Sequence, residues 1–488
     1  IYSLKSLFLA YVARKEVNFI KKIRISLSEK LFSTYLNLPY KFHLDTNSGN
    51  LIRNITDIKL YLNLLLHTLI VLVESFVFVG IVVFLIIYEP IGAMTSLFLL
   101  GSFGLLFYMK LQKKSEIWGK ERQIFEGLKI INTQQGLNAI KDIKILGREK
   151  YFIDLFTDSD SQAAESQKKH DFILRLPRIV LELIAVLTVL TLVLVLLQKE
   201  KNFASLIPTL GLFAVSAFRI MPSMAKILRS IQIINFARPV LQLLKEEIYK
   251  GNQITQSPSV VNNLQIVKKI DLKNISFSYP NTAKSIFKNL NFTIQVGDSV
   301  GIFGKSGTGK TTLINILLGL IEPQNGDIQV DDKSILGDIK SWQRKIGYVP
   351  QNIYLTDDSL KSNIAFGVEE KLIDLNLMNQ LIKQVKLEEF VGSLKSGVNS
   401  KAGEYGEKLS GGQRQRIGIA RCLYNNPEVI IFDEATNALD KKTAEEIIDE
   451  INSFKRKKTA IIVSHDLYTL KNCDKIYDLN DGNFKIHK

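Results

Sequence analysis

Four clusters in the C-terminal half carry residue types whose spacing suits phosphate chemistry. Gly304-Lys305-Ser306-Gly307-Thr308-Gly309-Lys310-Thr311 is a full P-loop, placed between an apolar run at 300–303 and a helical stretch predicted at 312–320, which opens on Thr312. In that setting the glycines let backbone N–H groups face phosphate oxygens, and the helix N-terminus adds positive potential. Lys310 is expected to neutralise β- and γ-phosphate charge, and Thr311 to offer its hydroxyl to Mg2+. The second cluster, Val429-Ile430-Ile431-Phe432-Asp433-Glu434, reads as a buried strand ending in two carboxylates. Asp433 could hold Mg2+, and Glu434 could act as general base on an attacking water. Paired acids after an apolar strand also occur as solvated loop starts, so this cluster alone leaves both readings open.

The third cluster, Leu409-Ser410-Gly411-Gly412-Gln413, precedes a helical stretch at 414–424 and forms a second candidate anion site at a helix N-terminus. The fourth group consists of residues at the ends of short apolar runs: Tyr279, Gln351 after Tyr348-Val349-Pro350, and His465 after Ile461-Ile462-Val463-Ser464. Taken singly, Tyr279 reads as a sheet-edge aromatic and His465 as a satisfied histidine at a strand end.

The elements that must position these residues fall into two contrasting halves. The chain has 488 residues, a formal charge of +15 and 23% charged residues, yet its mean hydropathy is +0.09. These values agree only if apolar residues are segregated. Apolar blocks lie at 62–88, 91–109, 176–197 and 203–220, each long enough to cross a hydrocarbon core of about 30 Å. A weaker block at 1–20 is interrupted by Lys5 and by Arg14, Lys15 and Glu16. The connections at 14–59 and 110–178 are rich in Lys and Arg, whereas Glu89 and the stretch 198–202 mark short ones, so the long connections are expected in the cytoplasm. On this count five crossings would leave Ile1 outside, and a further helix is expected ahead of it, the alternative being a start outside.

The basic excess lies on these cytoplasmic connections, which accounts for it as topology and gives no reason to expect a nucleic-acid partner. Cys422 and Cys473 form no disulfide framework and no metal spacing. A polar stretch at 251–263 reads as a linker. Beyond about residue 268, short β-rich runs at 270–278, 299–303, 346–349, 429–432 and 459–463 alternate with helical stretches, which predicts a mostly parallel α/β sheet.

The pentapeptide Leu409–Gln413 resembles the signature of ABC ATPases, and with the P-loop it identifies the chain as similar to ABC exporter half-transporters. The resemblance implies an all-α transmembrane helix bundle at 1–245, a linker at 246–267 and an α/β P-loop ATPase domain of the ABC type at 268–488. It implies ATP and Mg2+ as cofactors. Residue by residue, it makes Tyr279 the aromatic that stacks on adenine, Gln351 the Q-loop glutamine and a Mg2+ ligand, Asp440 in Asn437-Ala438-Leu439-Asp440 the D-loop aspartate, and His465 the switch histidine. Asn437 stands where the family usually has serine, and Thr356 where an aromatic is usual. The stretches 37–57 and 135–152 resemble the two intracellular loops that carry coupling helices. The family places each ATP between the P-loop of one ATP-binding domain and the signature of another, which implies a dimer, simplest as two copies of this chain, in the cytoplasmic (inner) membrane with the ATP-binding domain in the cytoplasm.

For the cargo the sequence offers ionisable residues within helices, which are costly there and often functional. Arg219 and Lys226 are seven apart and share a helix face, Arg178 and Glu182 are four apart, and Glu74 lies within the 62–88 block. Either these are interhelical ion pairs with snorkelling, or Arg178, Arg219 and Lys226 line a basic cavity for an anionic head group. The segments 176–182 and 218–223 are similar to parts of the PglK-type flippases, which implies a polyprenyl-pyrophosphate-linked oligosaccharide as substrate. The rivals are a general exporter of peptides, proteins, lipids or drugs, and a non-transporting regulator or ATP-gated channel.

Overall fold

The computed structural model describes residues 2–199, 203–254, 265–279, 285–434, 458–480 and 483–486, with side chains left out at 91, 192–210, 252–254 and 483. The chain divides into two compact units, Ile1–Ser257 and Pro258–Lys488.

The first unit is entirely helical: α1 (Tyr2–Asn37), α2 (Tyr40–Asp45), α3 (Ser48–Thr56), α4 (Ile58–Tyr88), α5 (Pro90–Asn138), α6 (Ile140–Leu146), α7 (Glu149–Lys199) and α8 (Phe203–Ile254). The tight bend between α4 and α5 comes from Pro90 at the first helical turn, where its missing N–H removes no intrahelical bond. Gly147, with φ +61°, closes α6 in the left-handed conformation that a side chain would disfavour. Among the described residues three helical segments are long and apolar enough to cross a membrane, Ser48–Tyr88, Gly92–Asn138 and Gly211–Gly251. The block at 1–20 is not among them, although α1 carries it in one continuous helix. The block at 176–197 lies in α7, which continues through Pro177.

Two apolar clusters join these helices. One brings Leu85 of α4, Leu100 and Phe107 of α5, Leu181 of α7, and Ile220 and Leu228 of α8 together. The other joins Leu31 and Tyr35 of α1, Leu62 of α4, and Val240 and Leu244 of α8. In lipid, apolar burial does not by itself drive helices together, so close packing and polar bridges must contribute. Ser115 of α5 donates to Gln232 of α8 at 2.6 Å, and His67 of α4 meets Ser230 of α8 at 2.8 Å. At Gly119 the backbones of α5 and α8 approach so closely that an added Cβ would lie 2.1 Å from the carbonyl oxygen of Phe236.

The second unit contains two sheets. The six-stranded one has the order β10-β9-β3-β8-β7-β6, with β9 (Lys475–Asn480), β3, β8, β7 and β6 (Ile346–Val349) parallel and β10 (Asn483–Ile486) antiparallel at one edge. Its central strands β3 (Ser299–Phe303), β7 (Val429–Asp433) and β8 (Thr459–Ser464) are apolar because both faces are covered. Successive residues of β7 point to opposite sides: Val429 and Ile431 enter the cluster with β3 and α9 (Lys310–Leu317), whereas Ile430 and Phe432 enter the one beneath α14 (Gly411–Tyr424). The second sheet corrects the expectation of one mostly parallel sheet. The run read at 270–278 is β1 (Lys269–Phe277), and it belongs to an antiparallel sheet of order β2-β1-β4-β5, with β4 at Asn325–Val330 and β5 at Lys333–Ser334. Its partner β2 (Phe287–Gln295) alternates buried Leu290, Phe292 and Ile294 with exposed Asn291, Thr293 and Gln295, the period-2 signal of a strand covered on one face only.

Substituting Gly119→Ala should force α5 and α8 apart and cost about 1–3 kcal/mol of stability. Gly101→Ala, whose Cβ would meet nothing within 4 Å, should leave the thermal midpoint of the detergent-solubilised protein unchanged. Equal midpoints for the two variants would contradict this packing.

Candidate functional site

The C-terminal ends of four neighbouring parallel strands supply most of the site. The P-loop follows β3, Asp433 ends β7, His465 follows β8, and Gln351 lies two residues beyond β6 (Ile346–Val349). This is the edge of an open α/β sheet where ligands bind. Gly307 and Gly309 have φ of +83° and +102°, a backbone region that side chains rarely adopt. A Cβ on Gly309 would also stand 2.7 Å from Ile286, so the loop can wrap closely only with glycine there. Lys305, Ser306 and Thr311 are exposed at the mouth of this cradle, whereas Thr312 is buried one position further into α9, its Oγ1 3.3 Å from the Tyr279 hydroxyl. Thr308 donates from Oγ1 to the carbonyl of Lys305 and braces the loop.

At the centre is Lys310, almost fully buried. Its Nζ donates to the carbonyl oxygens of Gly304 at 2.6 Å and Lys305 at 3.1 Å, and lies 3.6 Å from Glu434 Oε1. Glu434 gathers three of the sequence-predicted groups. Besides Lys310, its Oε1 is 3.4 Å from His465 Nδ1, and its Oε2 accepts from Gln351 Nε2 at 3.0 Å. The backbone turns sharply to make this possible: Glu434 has φ +47°, a conformation that costs a non-glycine residue on the order of 1–3 kcal/mol, while its N–H stays bonded to Val463 at 2.9 Å.

Asp433 is buried, and burial pushes its carboxyl above the usual range, Tyr348 and Lys310 pull it back, and the neighbouring Glu434 adds to the rise. Tyr348 donates its hydroxyl to Asp433 Oδ2 at 3.2 Å. In the sequence Tyr348 stands out only as a flank of Gln351. The available signal was a hydroxyl-bearing aromatic at the end of a strand whose next turn carries a site residue. The buried Asp433 carboxylate, with the hydroxyl of Thr311 and the amide oxygen of Gln351 as companion donors, makes an all-oxygen set that fits a hard cation such as Mg2+.

Ser410, Gly411, Gly412 and Gln413 are not part of this cluster. Ser410 caps α14 by accepting from Gln413 N at 3.2 Å, and Gln413 Oε1 accepts from Ser410 N at 2.8 Å, a reciprocal capping box. Among the described residues the hydrogen bonds of these two side chains stay within that box. Helix α14 packs with α11 (Leu360–Ile364) and α12 (Leu375–Gln384), so the signature is carried by a helical layer distinct from the P-loop. Asp440 lies outside the described residues.

In the helical unit two of the three basic candidates are ion-paired. Lys226 donates to Glu74 Oε1 at 2.6 Å, and Ser223 donates to Oε2 of the same carboxylate at 2.6 Å. Arg178 pairs with Glu182 at 3.1 Å on an exposed face of α7. Arg219 is exposed on α8 and has no hydrogen bond or ion pair among the described residues.

The pair between Lys310 and Glu434 must open before phosphate oxygens can reach the ammonium. Glu434→Gln should therefore bind ATP about fivefold more tightly in EDTA, where no hydrolysis occurs, as expected for losing a competing interaction of roughly 1 kcal/mol. A fluorescent ATP analogue would measure this, and equal or weaker affinity would contradict the competition.

The chain matches the ABC transporter transmembrane region over residues 17–218 and the ABC transporter family over residues 287–437. An ATP-dependent lipid A-core flippase of Pseudoalteromonas translucida is 28% identical over 478 residues, covering 94% of this chain and 79% of that protein. One of the same description from Saccharophagus degradans is 30% identical over 353 residues, covering 71% and 58%. A leukotoxin translocation ATP-binding protein of Mannheimia haemolytica is 40% identical over 223 residues, covering 45% and 31%. In fold, a bacterial Atm1-family ABC exporter with ATP bound superposes with a TM-score of 0.81 at 22% identity, over 98% of this chain and 84% of the other. Joining an ABC-type ATPase to a helical transmembrane region, the chain is an integral membrane protein that couples ATP hydrolysis to transport, and it belongs to the ABC transporters as a half-transporter of the exporter type.

Proposed function

We propose that two copies of this chain form the working transporter, and that it flips a polyprenyl-pyrophosphate-linked oligosaccharide across the cytoplasmic membrane. The observation that carries the cargo reading is Arg219, an exposed guanidinium on an apolar helix that makes no hydrogen bond or ion pair among the described residues and meets the Glu74 carboxylate, already bonded to Lys226 and Ser223, only at longer range. A guanidinium offers a fork of donors that matches phosphate oxygens, and a cation retained unpaired within a membrane helix points to an anionic ligand. Lys226 and Arg178 contribute less to this reading, because Glu74 and Glu182 already answer their charge. The relatives described as lipid A-core flippases favour a lipid cargo over a protein one. The leukotoxin translocation protein, which supports the rival, matches only 45% of the chain.

In this reading Tyr279 stacks on adenine, the 304–312 loop and helix start hold the phosphates, and Ser410–Gln413 of the second copy closes over the γ-phosphate. Thr311, Asp433 and Gln351 would hold Mg2+, which supplies charge neutralisation between the β- and γ-phosphates. Once phosphate has taken Lys310, Glu434 is released to accept the proton of the attacking water, whose oxygen bonds to the γ-phosphorus as the bond to ADP breaks. His465, already beside Glu434, holds the carboxylate and the departing phosphate in place. Closure of the paired ATP-binding units on ATP, and their reopening after hydrolysis, would drive the change in membrane exposure.

In proteoliposomes, Arg219→Ala should lower translocation of the pyrophosphate-linked glycolipid, and its stimulation of ATPase activity, about tenfold, while basal ATPase is retained. Unchanged stimulation, or stimulation by an unphosphorylated lipid alone, would overturn the cargo reading. Lys226→Ala should instead lower the thermal midpoint, since it strands Glu74 in the membrane without its cation.

A further inference from the structure

Strand β6 ends beside two carboxylates, and the strand and the turn after it each send a donor to one of them. Gln351 Nε2 donates to Glu434, and the Tyr348 hydroxyl donates to Asp433 Oδ2 at 3.2 Å. The placement follows from the strand. In β6, Gly347 and Val349 are buried, and Val349 packs into the cluster beneath α14, whereas the Tyr348 ring lies against the opposite cluster, on the side of β3 and α9. The parallel register sets Tyr348 opposite Ile431, two residues before Asp433 on β7, so the length of a tyrosine side chain spans the remaining distance along the sheet. A phenylalanine would fill the same apolar space. What the hydroxyl adds is a hydrogen bond to one oxygen of a buried carboxylate.

We propose that Tyr348 is a positioning residue for the metal: by occupying Oδ2, it fixes the rotation of the Asp433 carboxylate and presents Oδ1 to the Mg2+ of the bound nucleotide. The inference rests on the reading of Asp433 as a Mg2+ ligand. Groups that hydrogen-bond a ligating side chain orient it, and their loss costs on the order of 10–100-fold in metal affinity. The same donor separates the duties of the two neighbouring acids. Asp433 is held for the metal from the Tyr348 side, while Glu434, bonded to Gln351 and turned back by its left-handed backbone, faces the P-loop lysine.

The test uses the full chain in lipid nanodiscs with a non-hydrolysable ATP analogue bound and Mn2+ as the spectroscopic stand-in for Mg2+. Tyr348→Phe should weaken Mn2+ binding, read by electron paramagnetic resonance, by about tenfold. Nucleotide affinity in EDTA should match the parent protein, and ATPase activity should return at high Mg2+. Parent-like Mn2+ affinity in Tyr348→Phe would overturn the assignment, as would a parallel loss of nucleotide affinity in EDTA, which marks a structural role. Failure of the parent protein itself to bind Mn2+ with nucleotide would instead remove the metal reading of Asp433 on which the inference stands.

Discussion

The ATP-binding unit is organised around one buried ammonium. Lys310 has two carbonyls and the Glu434 carboxylate beside it, with Asp433 further off, to answer its charge, and a buried cation is tolerated only when such partners are present. That requirement explains why Glu434 takes up a left-handed backbone conformation at the end of β7 and why it is also met by His465 and Gln351. Each of these residues stands at the C-terminal end of a different strand. Only the parallel order β3-β8-β7-β6 brings all of them to one edge of the sheet. The unit is thus held ready around a charge that phosphate can satisfy better than a carboxylate can.

The membrane unit follows the same rule with different partners. Three polar bridges cross between its helices: Glu74 with Lys226 and Ser223, His67 with Ser230, and Ser115 with Gln232. All three bridges end on α8, which also meets α5 backbone to backbone at Gly119. Helix α8 is therefore the member against which α4 and α5 are registered. Arg219, on the same helix, is exposed and makes no hydrogen bond or ion pair among the described residues, and the cargo reading uses its position within the apolar part of α8.

Much of this was legible in the sequence because the chemistry is local. The P-loop, the acid pair at 433–434 and the signature at 409–413 are each contiguous, and the strands that precede the first two, β3 and β7, are apolar on both faces. The antiparallel sheet was not legible, because β2 is rich in asparagine and its apolar residues are spaced two apart rather than in a run. The 270–278 run looked like the other short strands, although its partners β2 and β4 (Asn325–Val330) lie in a different sheet. The pairing of Lys226 with Glu74 depends on a contact across 152 positions, and the contact of Tyr348 with Asp433 on one across 85. Spacing along the chain reports neither. It could show only that basic residues shared a helix face, and left their partners open.

In the proposed dimer one chain supplies only half of each ATP site, since the P-loop sits between β3 and α9 while Ser410 opens α14 in another layer. Mixed dimers assembled from two differently tagged chains test it most directly, with vanadate-trapped nucleotide as the readout. When Lys310→Ala and Ser410→Arg are placed in different chains, shared sites predict one intact site and trapped nucleotide. When both are placed in the same chain beside an unaltered partner, shared sites predict none. Trapping in the second dimer and its loss in the first would show that each chain completes its own site, and would contradict the account.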